Sequence, residues 1–477
     1  MNEQSLASRS FTQADQGEFA LLSGDHNPLH LDAGFARRTQ MGGVVVHGVH
    51  YLLWALETVL RSAPFEVRSI KVRFSQPLFL HEIAQVRITT RTEAAVNVEV
   101  TAADTVLATV KLSSQPGKIA GSSARALPLS AQSIASPLDL GFERLAGRHG
   151  AHAAAASDGE IRRLFPALAN AIGPAAVGAL MAASQIVGMA CPGLHSLFAG
   201  IDVTRDAASD AERALRYAVS KTDPRFRSLQ IDVSGAGLTG RLEAFARLPP
   251  PEQPDMKIVA ARVAKDVFAG QKALIIGGSR GLGEVAAKMI AAGGGHPVIT
   301  YRAGKSEAEK IAEDIRQNGQ ACDIIQYDAL QAAGVQLDNI GSIDSCYYFA
   351  TAKIFQRKAA PYEPEKLRIF LSYYVDGFCD LCTTLAPHRA GRMAIFFPST
   401  TAVEGAVAGL TEYAMAKAAG ETLVNYLNAF LPNVHIVSRR LPRIMTDQTA
   451  TVGVASAQDA LDVLLPIVYE VQQLARS

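Results

Sequence analysis

The sequence predicts an α+β half followed by an α/β half built on a doubly wound parallel sheet. Three observations carry this. An apolar run of helix length precedes four strand-like segments, and the same order recurs further on. Past residue 265, strand-like and helix-like segments alternate, which predicts parallel strands covered by helices on both faces. Two stretches read as joints. Residues 118–159 are small, polar and weakly periodic, and 249–264 open on the run of prolines in Leu248–Pro254, which can continue neither a helix nor a central strand. The chain therefore divides into 1–117, 160–248 and 265–477.

In the first segment, Val44–Leu60 is apolar and long enough for a buried helix. After it come four runs in which β-branched residues roughly alternate with polar ones, the signature of half-buried strands. A sheet wrapped around one helix follows. In the second segment the helix falls at about Val177–Met189, again followed by four strand-like runs. The two segments read as a pseudo-duplicated pair, each burying its helix under its own sheet. In the third segment, Lys272–Ile276 and the Gly-rich turn after it open the first strand–helix pair, and His296–Tyr301 supplies the second strand.

Composition narrows the function. Apolar residues make up 48% of the 477, enough for several cores. With 46 basic against 45 acidic residues, the net charge of +1 lacks the basic excess that a nucleic-acid or membrane-surface footprint needs. Five cysteines form no disulfide scaffold, and Cys379 and Cys382 read as two small residues in a buried helix rather than half a zinc site. No metal is expected. The polar N-terminus is no secretory signal. Between Arg163 and Asp202 no residue is charged, but Asn170, Pro174, Ser184, Gln185, Pro192 and His195 interrupt the stretch, so it reads as a buried helix and strand rather than a membrane span. A cytoplasmic protein is the expectation.

Two motifs carry chemistry. In the first, Asp25 and His30 flank Asn27-Pro28, whose proline stiffens the loop. A carboxylate and an imidazole in fixed relation can grip one water: the first accepts its proton while the second orients or relays. Taken bare, such a pair is more often a cap and a surface residue. His47-Gly48 opens the apolar helix, where backbone amides can stabilise a developing enolate. Residues 10–60 resemble the MaoC-type, (R)-specific enoyl-CoA hydratases through Phe11, Phe19, the run from Ser23 through Asp25, Asn27 and Pro28 to His30, Ala36, Arg38-Thr39 and His47-Gly48. The resemblance implies a hotdog fold, Asp25 and His30 as the catalytic pair, and the Gly48 amide as oxyanion donor. The second segment lacks the motif and is similar to the half of double-hotdog hydratases that accommodates acyl chains.

In the second motif, Gly277, Gly281 and Gly283 follow a buried strand and open a helix, the context in which a pyrophosphate meets backbone amides. Tyr413 and Lys417 lie one helical turn apart, and a nearby ammonium lowers a phenol's pKa. Ser399 lies upstream at a strand end. Residues 270–450 resemble the short-chain dehydrogenase/reductase family, with a Rossmann-type sheet. The resemblance implies Tyr413 as acid/base, Ser399 as carbonyl orienter and Lys417 as ribose ligand and tuner of Tyr413. It also implies a cofactor cradle of Gly277, Ser279, Arg280, Gly281, Leu282, Gly283, Arg302, Asp328, Ala350, Pro442 and Thr446 beside Tyr413 and Lys417. The sequence departs from that family twice: Tyr348-Phe349 stand in an Asn-Asn position, and Tyr374 stands where a helix Asn supports a proton relay. The spacing also leaves Thr400 as a rival orienter.

Together these imply a double hotdog fused to a reductase, interconverting enoyl, (R)-3-hydroxyacyl and 3-oxoacyl thioesters of CoA or an acyl-carrier protein, with a homodimer expected. Arg302 at the end of the second strand, where an acidic residue would hold a ribose hydroxyl, and Arg280 in the turn point to NADP(H) over NAD(H). The rival reading makes one half catalytic and the reductase-like half a nucleotide-binding sensor or scaffold.

Overall fold

A computed structural model describes residues 5–117, 123–128, 131–355, 357–358, 360–388, 392–449 and 458–476. The chain forms two compact units that divide at Pro249/Pro250.

Among the described residues, the first unit holds ten strands: β1 (Ala7–Ser10), β2 (Ser69–Phe74), β3 (Ile83–Arg91), β4 (Ala95–Ala102), β5 (Thr105–Ser113), β6 (His149–His152), β7 (Ser196–Arg205), β8 (Leu215–Asp223), β9 (Ser228–Gly235) and β10 (Leu238–Ala246). They form one sheet in the order β1-β3-β4-β5-β2-β7-β10-β9-β8-β6. Read outward from its middle, one side runs β2, β5, β4, β3, β1 and the other β7, β10, β9, β8, β6, so the second half repeats the topology of the first. The last hairpin of each half repeats too. Ala103-Asp104 and Ala236-Gly237 all take positive φ, the backbone that a two-residue turn between twisted strands requires.

The sequence reading assigned each half its own sheet. Instead β2 and β7 pair antiparallel, from Ser69 opposite Thr204 to Arg73 opposite Gly200. The physical reason is an unmatched edge: each half has a free strand there, and pairing the two removes both. One hydrophobic core runs through both halves. It includes Leu52 and Leu56 of the Gly48–Ser62 helix and Val177 and Leu180 of the Pro174–Gln185 helix, with Val98 and Val110 from one half and Ile231 and Leu242 from the other.

The uncharged stretch becomes the helices Pro166–Ile172 and Pro174–Gln185, a π-turn Ile186–Ala190 and the start of β7. Among the described residues no single helix is long and apolar enough to cross a membrane; the bent pair Pro166–Ile172 and Pro174–Ala190 passes only by joint length and composition. The stretch read as a first joint contributes β6, an edge strand on β8. The second contributes a short helix, Met256–Ala260, whose Met256 and Val259 join Val263 in the core of the second unit. Their spacing along one helical face explains the packing.

The second unit holds β11 (Lys272–Ile276), β12 (His296–Tyr301), β13 (Asp323–Gln326), β14 (Ser345–Tyr348), β15 (Met393–Thr400) and β16 (Val434–Leu441) in the order β13-β12-β11-β14-β15-β16, all parallel. Along β11, Ala273 and Ile275 face one apolar layer while Leu274 and Ile276 face the other, so both sheet faces are covered. The strand order reverses between β11 and β14, and a ligand crevice opens at such a reversal.

Candidate functional site

In the first unit the loop after the Gln13–Ser23 helix turns at Gly24, whose positive φ suits glycine, and brings Asp25 into the core. Asp25 is 2% exposed. Its Oδ2 accepts from Ser184 Oγ at 2.7 Å and its Oδ1 from the Asn27 amide at 3.2 Å. Burial outweighs both bonds and pushes its pKa up to about 6. Asn27 donates from Nδ2 to Gly188 O and Gly193 O, pinning the loop to the second half.

His30 Nδ1 lies 2.6 Å from the Val45 carbonyl oxygen. A carbonyl only accepts, so Nδ1 carries the proton and Nε2 is left with a lone pair. Burial lowers the His30 pKa to about 4, which keeps the ring neutral near pH 7. His47 stacks on His30 with ring centroids 3.8 Å apart, and its ring nitrogens face Gln16 Oε1 at 2.9 Å and Asp25 O at 3.1 Å. Burial depresses its basicity as well. Ligating atoms of Asp25, His30 and His47 all lie within 4.8 Å of one another. A held water or a cation could bridge that spacing. Gly48, at the first turn of the Gly48–Ser62 helix, abuts the Phe74 ring.

The structure thus brings Asp25, His30 and Gly48 to one region, and adds residues that the sequence reading did not assign: Gln16, Ser184 and Gly188. Ser184 and Gln185 did carry a signal, as polar residues on a helix otherwise nearly all apolar.

In the second unit, Gly277 at positive φ abuts the Ala350 amide and the Phe349 carbonyl, and a side chain on Gly283 would run into the Gly277 carbonyl oxygen. Only glycines allow this approach of strand and helix, and it leaves the amides opening the Gly281–Ala292 helix toward the turn. Ser279 belongs to that turn, Leu282 to the first turn of the helix, and Thr446 packs beside Gly281. Asp328 Oδ1 accepts from the Leu330 amide. Pro442 follows directly on β16. The turn fits a dinucleotide pyrophosphate. Arg302 donates to the neutral Tyr373 Oη at 2.8 Å and, among the described residues, keeps its charge unopposed, whereas Arg280, which the sequence reading set beside it, is paired with Asp447 at 2.6 Å.

The catalytic set departs from expectation in three places. Ser399 Oγ donates to Glu421, itself held by Arg440, so this hydroxyl is turned from the role of carbonyl orienter. Thr400, the rival, is the side chain that acts on Tyr413, holding its pKa down against burial. Ser399 lies on the Phe397 side of β15, the side that the Thr411–Phe430 helix covers, and there its hydroxyl is taken by Glu421 of that helix. Burial pushes Tyr413 up to about 12, where the sequence reading expected the ammonium to bring it down. Lys417 donates to Pro398 O at 2.5 Å and sits 3.8 Å over the Tyr374 ring but 5.9 Å from that of Tyr413, and burial lowers it to about 7. Tyr374 is fully buried, with its hydroxyl bonded to Thr351.

Residues 2–111 match the family model described as MaoC like domain, and residues 277–459 the one described as Enoyl-(Acyl carrier protein) reductase. The chain joins a MaoC-like domain to a short-chain dehydrogenase/reductase domain. Solved structures similar to the reductase part include a short-chain dehydrogenase/reductase from Serratia marcescens, 20% identical, covering 44% of this chain and 94% of that one at a TM-score of 0.39. A gluconate 5-dehydrogenase from Burkholderia cenocepacia, solved with NADP and tartrate, is 25% identical and covers 38% of this chain and 76% of that one at 0.35. A short-chain dehydrogenase of Shigella flexneri, complexed with NADP, is 16% identical, covering 44% and 93% at 0.40. No curated protein matches the chain.

Proposed function

We propose that the MaoC-like unit hydrates trans-2-enoyl thioesters to (R)-3-hydroxyacyl thioesters, or runs the reverse dehydration, and that the reductase unit interconverts the 3-hydroxyacyl and 3-oxoacyl forms. What carries the first part is the pair of buried Asp25 and half-buried His30, close enough to share one water, with His30 Nε2 left as an acceptor. Water donates one hydrogen to each. As its oxygen adds to C3, its proton passes to Asp25, and Asp25 returns that proton to C2. The Gly48 amide stabilises the thioester enolate between the two steps. The repeat of strand order supports reading residues 160–248 as the second half of a double hotdog, its helix making room for the acyl chain.

In the reductase unit Tyr413 exchanges a proton with the substrate oxygen, Thr400 positions that oxygen, and Lys417 holds the ribose. A nicotinamide, when bound, supplies or takes up hydride there. Arg302, lying where an acid would favour NAD(H), supports NADP(H) as the preferred cofactor. The substrate is an acyl thioester of CoA or an acyl-carrier protein, and sharing the 3-hydroxyacyl intermediate gives the fusion its use.

Assays of the purified protein with crotonyl-CoA, and with acetoacetyl-CoA plus each nicotinamide cofactor, test both parts. Asp25→Asn and His30→Ala should each cut hydration at least ~100-fold and leave reduction intact, with NADPH showing the lower KM. Normal hydration by both variants would falsify the first assignment.

One observation favours a second reading. With Tyr374 beneath Lys417 and Ser399 bonded to Glu421, the reductase unit binds nucleotide without turning over. Cofactor binding with no oxidation on any 3-oxoacyl thioester would select it.

A further inference from the structure

Arg247 follows directly on β10 and is 5% exposed. Among the described residues, no carboxylate pairs with it. Its Nε donates to Ser196 O at 3.2 Å and its Nη2 to Leu194 O at 3.4 Å, and among the described residues no acceptor bonds Nη1. Two other guanidinium groups of this unit that are largely buried are neutralised, Arg205 by Asp210 and Arg216 by Glu212. A buried cation without a counter-ion is costly, and burial pulls this one down to about 10, which still leaves it charged at neutral pH.

Its position ties it to the first site. Leu194 O accepts from Arg247 Nη2 and also from Asn27 Nδ2, so one carbonyl separates the guanidinium from the Asp25–His30 loop. The Arg247 charge also reaches His30, where it helps hold the ring neutral.

We propose that Arg247 is a specificity residue that takes an anionic group of the thioester substrate, either a carboxylate on the acyl part or a phosphate on its carrier. The fork of a guanidinium matches both oxyanions. The substrate then brings the counter-ion that the protein lacks. This inference rests on the hydratase reading of the same site, so its test measures binding rather than turnover.

The full-length protein is titrated calorimetrically with three saturated, unreactive thioesters: butyryl-N-acetylcysteamine, succinyl-N-acetylcysteamine and butyryl-CoA. The first has no anionic group, the second adds an acyl carboxylate and the third adds carrier phosphates. Wild type should bind one of the charged pair at least about tenfold more tightly than the neutral thioester, and Arg247→Met should erase that preference. Preference for succinyl-N-acetylcysteamine names the acyl carboxylate; preference for butyryl-CoA alone names the carrier phosphate. Arg247→Lys, which keeps the charge and loses the fork, should fall between. Equal affinities in wild type overturn the proposal, as does a preference that survives in an Arg247→Met protein melting at the wild-type temperature. If Arg247→Met does not fold, the wild-type ranking and Arg247→Lys decide. Crotonyl-CoA turnover, measured separately, reports on the hydratase reading, so the two can fail apart.

Discussion

Asp25 makes the unit less stable in order to be useful. Its pKa of about 6 in the fold stands above its ordinary 3.8, so the folded state binds the proton more tightly than the unfolded chain does. That contribution is complete below about pH 4 and is lost as pH rises through 6. Above pH 7 the ionised, buried carboxylate costs on the order of 2–3 kcal/mol. Asp25→Asn should therefore stabilise the protein at pH 8 and bring no gain at pH 4, as urea melts at the two values would show. A variant less stable than wild type at pH 8 would remove the desolvation argument. Activity should rise with pH through about 6, as Asp25 ionises, while His30 stays neutral throughout. In the other unit, the Glu421 bond that occupies Ser399 and the effect of Thr400 on Tyr413 make a sharp distinction. Thr400→Val should cut 3-oxoacyl reduction by about 10²-fold or more, and Ser399→Ala by far less. Equal losses would restore Ser399 to the reacting carbonyl.

The π-turn Ile186–Ala190 shows how an element can build a site that it does not catalyse in. Gly188 sits where a Cβ would collide with the Asp25 carboxylate, and its carbonyl accepts from Asn27. The π-turn, a rare departure from α geometry that is frequent at functional sites, carries the helix end against the Asp25 loop. Gly188→Ala should displace Asp25, lowering hydration at least ~100-fold while leaving cofactor binding unchanged, since no clash arises in the second unit. Full hydration in that variant would show that the loop yields freely.

Across the whole molecule, the first core draws on both halves of one ten-stranded sheet, so neither half buries its helix alone. The unit of folding in this region is therefore 1–249 and not 1–117. A chain ending at Pro249 should fold and hydrate crotonyl-CoA at a rate near that of the full protein, whereas one ending at Gly117 should leave β2 as an open edge and aggregate. Soluble, active 1–117 would contradict this account.

Much was legible in the chain itself, because the features concerned are local. Alternating β-branched runs, the alternation of strand and helix past residue 265, the stiff Asp25–His30 loop and the glycines of the nucleotide turn are set by residues within a few positions of one another. Other features depend on pairing across long stretches of chain, which no local pattern encodes. The joining of β2 to β7, the Ser184 hydroxyl on Asp25 across 159 residues and the unpaired Arg247 beside Asn27 are of this kind. The exchange of Ser399 for Thr400 lies between the two. Spacing left both neighbours open, and what engages Ser399 is Glu421, 22 residues further along the chain and itself held by Arg440.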